Sequence, residues 1–165
     1  MVLDLSEVLS NDGASVSIKT EVTPEKEEFG GNVYTYVSPI KVEGCVKNTS
    51  GAITLYATVR TTLSTGCARC NKTAELSVCS EICDNIVRGD DEFGIPLIGN
   101  TVDLAPLISE AVLTNIPARV LCSENCKGLC PKCGTNLNEK QCSCESDNSD
   151  SPFAALKNML LKDEV

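Results

Sequence analysis

At 165 residues the chain is long enough for one domain of ordinary size and a small appendage, and it should bury roughly 70% of its unfolded surface. That excludes a fold that leans on disulfides for want of a core. A formal net charge of −9 excludes attraction to nucleic acid by overall charge, so such a contact would need a local basic patch; no window approaches the roughly 18 apolar residues of a membrane span.

In chain order, Leu3 to Leu9 reads as a short helix begun by Asp4 or Ser6. The opening residues carry no basic n-region and no apolar run, so no secretory signal is expected, and the protein is placed in a reducing, cytoplasmic compartment. Val16 and Ile18 mark a first strand, and Ile40 to Val46 a second. Asn48-Thr49-Ser50-Gly51 turns the chain. Ile53, Leu55, Ala57, Val59, Thr61 and Leu63 then alternate with Thr54, Tyr56, Thr58, Arg60 and Thr62, the period of a half-buried antiparallel strand. After Gly66-Cys67-Ala68-Arg69-Cys70, the residues Ala74, Leu76, Val78, Ser80, Ile82 and Ile86 again share a face.

Residues 88–100 read as a polar loop with an acidic Asp90-Asp91-Glu92 run. The period then changes: Leu104, Leu107, Ile108, Ala111 and Val112 mark a helix face, with Asp103 as N-cap and Pro117 beyond the end. A cysteine-rich segment follows, then a polar linker over 145–150. Ser151-Pro152 opens a short amphipathic helix carrying Phe153, Leu156, Met159 and Leu160. The expected fold class is α+β: an antiparallel sheet packed by a helix, with a zinc-binding segment and a short C-terminal helix. The expected parts are 1–121, 122–144 and 145–165.

Eleven cysteines cannot all pair within one chain, and a reducing compartment keeps thiols free, so metal is favoured over disulfides. Cys130-Pro131-Lys132-Cys133-Gly134 followed by Cys142-Ser143-Cys144 has the spacing of a four-cysteine zinc site, in which a tight turn presents two sulfurs to one ion and Gly134 permits the turn. Cys67-x2-Cys70 with Cys122-x3-Cys126 forms a second such set, clamping the strand hairpin to the segment after the helix. A single site taking one pair from each region is the competing arrangement, so one or two structural zinc ions are expected. Cys45, Cys79 and Cys83 read as small apolar residues or spare thiols.

The chain has no histidine, so it has neither a histidine base nor a histidine-ligated catalytic zinc. A site filled by four cysteines leaves no position for an activated water. No phosphate-binding glycine motif appears. A thiol exchanger would place its CxxC at the start of a helix in a βαβ unit, whereas Cys67-x2-Cys70 joins strands. Asp90, Asp91 and Glu92 read as a solvated acidic loop rather than a metal site of a nuclease. No enzyme activity and no small-molecule substrate are expected.

Several stretches together resemble one family: LDLSEVLS at the start, VKNTSGAITLYATV, the turn CARC, NIPARVLCSENC, above all CKGLCPKCGTNLNEKQCSC, and the closing PFAALKNML. They are similar to the YceD family, the large ribosomal RNA subunit accumulation proteins. The resemblance implies a role in accumulation of large-subunit ribosomal RNA. It also implies a metal role for Cys67, Cys70, Cys122, Cys126, Cys130, Cys133, Cys142 and Cys144. The expected partner is a ribosomal RNA precursor or a ribosomal protein of the large subunit. The acidic balance suits a basic protein better than bare RNA; Arg69, Lys127, Lys132 and Lys140 would be the nearest phosphate contacts. The alternative is a zinc- and redox-responsive thiol regulator.

Overall fold

The structure is a computed structural model, and it describes residues 1–24, 26–89 and 94–144. The chain divides into two compact units, Met1–Glu124 and Asn125–Val165. The acidic run at 90–92, the linker at 145–150 and the expected C-terminal helix lie outside the described residues.

The described residues of the first unit are mostly antiparallel sheet with two short helices. Its elements are β1 (Val2–Asp4), α1 (Ser6–Ser10), β2 (Ser15–Val22), β3 (Lys26–Phe29), β4 (Asn32–Tyr36), β5 (Ile40–Thr49), β6 (Ala52–Gly66), β7 (Thr73–Arg88), β8 (Ile95–Leu97), β9 (Thr101–Asp103) and α2 (Ala105–Thr114). The long strands are the alternating segments of the sequence. β6 pairs with β7 from Ile53↔Ile86 to Gly66↔Thr73, and with β5 from Ala52↔Thr49 to Arg60↔Lys41. Beyond β5, the same edge of β6 takes β4 at Leu63↔Tyr36 and Ser64↔Thr35. β2 pairs outside β5, and β3 outside β4.

The alternation decides which face is dry. Val42, Val46, Leu55, Val59 and Leu63 are buried on one face of the sheet. Leu5 and Val8 of the first helical turn and its approach, and Ile108 and Val112 of α2, are also buried, and the two helices contact β5, and β6 and β7, respectively. Burying a Val or Leu side chain contributes about 1.5–3 kcal/mol, so this layer of aliphatic side chains is the main stabilising term. Ser109 Oγ donates to Glu27 Oε1 at 2.6 Å, which ties α2 to β3.

Three expectations are corrected. The initial helix begins at Ser6, because Leu3 and its neighbours pair as β1 with β9, at Leu3↔Val102. Part of the loop expected over 88–100 is strand: β8 pairs with β7 in parallel at Ile86↔Ile95, so the sheet is not wholly antiparallel. The N-cap of α2 is Leu104, although the Asp103 carboxylate still accepts the Ala105 amide at 3.0 Å, and Pro106 lies in the first turn.

Two positions show how closely the strands are held. A Cβ on Gly44 would meet the backbone of Tyr56 and Ala57, with Ala57 Cα at 2.6 Å, so β5 and β6 approach there more closely than a side chain allows. The β5–β6 turn places Ser50 and Gly51 at φ of 54° and 87°, the left-handed pair of a two-residue hairpin. Asn48, buried at its base, donates to Val8 O at 2.7 Å and Asn11 O at 3.2 Å, and its Oδ1 accepts the Gly51 amide at 3.0 Å. One side chain thus holds both α1 and the turn. Asn48→Leu should lower stability by about 1–3 kcal/mol in urea unfolding, because it leaves a buried carbonyl without a donor; an unchanged midpoint would contradict this.

Candidate metal centre

The Cys67–Cys70 turn is built by its own backbone. The Cys67 amide donates to Lys72 O at 2.7 Å, and the Asn71 amide donates to Cys67 O at 2.9 Å. Asn71 sits at φ 57°, the left-handed region, which lets the chain fold back under the two sulfurs. The Ala68 amide donates to Val120 O at 2.9 Å, which draws the strand turn to the segment carrying Cys122. Cys70 Sγ and Cys122 Sγ are consequently 3.5 Å apart.

In the second unit the same frame recurs. The Cys130 amide donates to Thr135 O at 2.9 Å, the Gly134 amide donates to Cys130 O at 2.9 Å, and Gly134 has φ 70°. Residue for residue, Cys67–Lys72 and Cys130–Thr135 are the same loop. The glycine was visible in the sequence; the matching role of Asn71 was missed. The signal for it is the asparagine one place after the second cysteine, since asparagine is the residue other than glycine that best tolerates this conformation.

A short bridge, Leu129↔Asn136, closes the second loop, and the Leu137 amide donates to Gly128 O at 2.9 Å. Asn138 organises what lies beneath. Its Oδ1 accepts the Lys127 amide at 2.8 Å, and its Nδ2 reaches Cys126 Sγ at 3.4 Å and Asn136 Oδ1 at 2.8 Å. The Asn136-Leu137-Asn138 run therefore serves the sulfurs: it orients the donor that meets Cys126 Sγ.

All eight cysteines expected to ligate fall into two groups, Cys67, Cys70, Cys122, Cys126 and Cys130, Cys133, Cys142, Cys144, with the sulfurs of each group within 4.8 Å of one another. A tetrahedral ion with metal–sulfur distances of about 2.3 Å holds its sulfurs about 3.8 Å apart, so both groups could hold a metal ion. Among the described residues the sulfurs gather as two groups rather than as a single site taking one pair from each region. Cys45, Cys79 and Cys83 belong to neither group. They lie on the outer sheet face, with Cys45 and Cys83 flanking Tyr56 and Cys79 opposite Arg60.

Electrostatics follow the packing of like groups. Chiefly through the Arg69 amide, 3.5 Å from its sulfur, the Cys67 thiol is lowered to about 6. The Thr135 hydroxyl, 3.2 Å away, and its amide lower Cys133 to about 6. The charge so gathered falls on its neighbours. Cys133 first, then burial and Cys130, push Cys144 up to about 12. The Cys144 amide favours the Cys142 thiolate, but Cys130 and burial outweigh it and Cys142 is raised. A divalent cation relieves this repulsion, and the same crowding is what a metal would exploit.

Two outcomes are expected. Asn71→Gly should leave stability within about 0.5 kcal/mol, whereas Asn71→Val should cost about 1–2 kcal/mol in urea unfolding; equal effects would contradict the left-handed role. In metal-free protein at pH 7, iodoacetamide should label Cys133 at least about tenfold faster than Cys144, both being exposed; peptide mass spectrometry showing equal labelling would contradict the charge distribution.

Comparison with known proteins gives these sulfur groups a family. The chain is 23% identical over 156 residues to the large ribosomal RNA subunit accumulation protein YCED homolog 1, chloroplastic, of Arabidopsis thaliana, covering 74% of this chain and 49% of that protein. It is 24% identical over 147 residues to the protein of the same name from Zea mays, covering 67% and 50%. It is also 25% identical over 148 residues to an uncharacterized protein of Mycobacterium leprae, covering 83% and 67%. The chain thus spans about half the length of the two plant relatives. No solved structure matches it. Residues 55–160, which include all eight grouped cysteines, match the family described as large ribosomal RNA subunit accumulation protein YceD, and the chain belongs to that family.

Proposed function

We propose that the protein supports accumulation of large-subunit ribosomal RNA without catalysis, as a zinc-stabilised docking protein on a ribosomal protein or on RNA of a large-subunit precursor. The observation that carries the zinc part is the pair of all-cysteine groups. An all-sulfur donor set is that of structural zinc, and four thiolates leave no open position for a water. Cys67, Cys70, Cys122 and Cys126 would hold one ion, and Cys130, Cys133, Cys142 and Cys144 the other. The names of the plant relatives support the ribosomal part.

Charge supports a basic protein as the direct contact. Residues 1–124 carry nine lysines and arginines against seventeen acids. Each filled four-cysteine site adds roughly two further negative charges. Arg69, Lys127, Lys132 and Lys140, all exposed and close in sequence to the grouped cysteines, are the candidates for phosphate contact. Among the described residues no helix is long and apolar enough to cross a membrane.

The exposure of Cys122, Cys133 and Cys144, with Cys133 lowered to about 6, favours a second reading, a zinc- and redox-responsive regulator. Zinc release at low peroxide excess would support it.

The deciding experiment is a pull-down of the tagged protein from its own cells, with RNA sequencing and protein mass spectrometry of the eluate and native mass spectrometry for zinc. Large-subunit RNA or proteins should be enriched, and a chelator should remove bound zinc. Redox or transcription machinery in their place would refute the ribosomal reading, and a metal-free protein that folds identically would refute the zinc.

A further inference from the structure

Among the described residues, strand β7 has one edge in use along most of its length and the other paired only at its end. Toward β6 it is paired from Thr73 to Ile86. On the opposite edge, among the described strands, only β8 meets it, at Ile86, Val87 and Arg88. In the preceding stretch, alternate backbone N–H and C=O groups point away from the sheet, the template on which another strand adds.

Beside this edge runs a groove of about 470 Å³ between β7 and α2. On the strand side it is lined by the consecutive residues Ser80 to Asp84. Successive strand residues point to opposite faces, so a groove touching all five follows the backbone edge rather than either face. On the helix side lie Leu107, Glu110, Ala111, Thr114 and Asn115. Glu81, Asp84 and Glu110 charge it, and among the described residues neither lysine nor arginine lines it. None of the three carboxylates has an ion-pair partner among the described residues.

Asp84 is the informative member. It stands at an inward position of β7, opposite the buried Leu55 and between the buried Ile82 and Ile86. The alternation calls for an apolar residue there. A carboxylate is tolerated because the position opens on the groove, and it gives the groove a sign. Like charges oppose a second copy of this edge, and they oppose RNA; they attract cations.

We propose that the β7 edge facing α2 is a docking groove for an extended, lysine- and arginine-rich segment of a partner protein, which adds to the sheet as a further strand. Main-chain hydrogen bonds to β7 would supply the register, and Glu81, Asp84 and Glu110 the selection for charge. Five strand residues span about 17 Å, so a segment of roughly five to seven residues fills the groove. The inference rests on the ribosomal reading only for where such a segment comes from.

The test is fluorescence anisotropy with the full-length chain and a labelled heptapeptide, Lys-Val-Arg-Val-Lys-Val-Arg, against the same peptide with alternate backbone amides methylated. Methylation keeps the charges and removes the strand hydrogen bonds. The unmodified peptide should bind, and the methylated one should not. Glu81→Lys with Asp84→Lys should weaken binding by about tenfold, while the charge-matched control Glu7→Lys with Glu21→Lys should stay within about twofold. Equal binding of the two peptides, equal weakening of both variants, displacement of the peptide by a ten-nucleotide RNA, or its displacement by dimerisation of the chain would each overturn the proposal. The two readings fail separately. If the groove variant loses the peptide yet the pull-down brings no large-subunit components, the groove stands and the ribosomal reading falls. If the peptide does not bind while the pull-down succeeds, the reverse holds.

Discussion

The pairing of β6 with β7 carries the first unit. Its register, running without a break from Ile53↔Ile86 to Gly66↔Thr73, puts Leu55, Val59 and Leu63 on one face against the helices and leaves Tyr56, Arg60, Cys79 and Cys83 on the other. A slip of one residue would exchange the two sets. The same register places Cys67 and Cys70 at the tip, where the strands end and a loop of fixed conformation begins. Core and candidate metal ligands therefore answer to a single constraint, although one is apolar and the other all thiol.

How much of this the sequence reveals depends on whether an element explains itself locally. β5, β6 and β7 alternate over many residues and are legible from their period alone. β3, Lys26-Glu27-Glu28-Phe29, has no apolar alternation; it exists because β4 lies beside it and Glu27 meets Tyr36 and Ser109. β8 contains Pro96 and is three residues long, and its parallel pairing depends on β7 rather than on its own composition. β1 falls inside the segment Leu3 to Leu9, which with Asp4 or Ser6 at its start reads as a short helix; its pairing with β9, about a hundred residues along the chain, makes it strand instead.

The sulfur groups show the same division. Spacing alone identified Cys130, Cys133, Cys142 and Cys144, and named Cys67, Cys70, Cys122 and Cys126 as a second set. It left open whether pairs would be shared between regions, because the answer depends on which segments the fold brings together, such as Val120 against Ala68. The support around the sulfurs was less visible. Asn71 does the work of Gly134 in a different residue type, and Asn138 reaches Cys126 from twelve residues away. The inward Asp84 breaks the alternation of β7, and a residue that breaks a local rule is where a surface of interest is to be sought.

The pairing of β1 with β9 bears on how the protein is made. Val2 to Asp4 can take their places only after residues 101–103 have been synthesised, and at about 5–20 residues per second that is a wait of roughly 5–20 s. Through that interval Leu5 and Val8, which end up almost fully buried, have no completed pocket to enter. Residues 2–4 are thus among the last of this unit to be fixed, and during translation Leu5 and Val8 stay uncovered until strands made about a hundred residues later come back to enclose them.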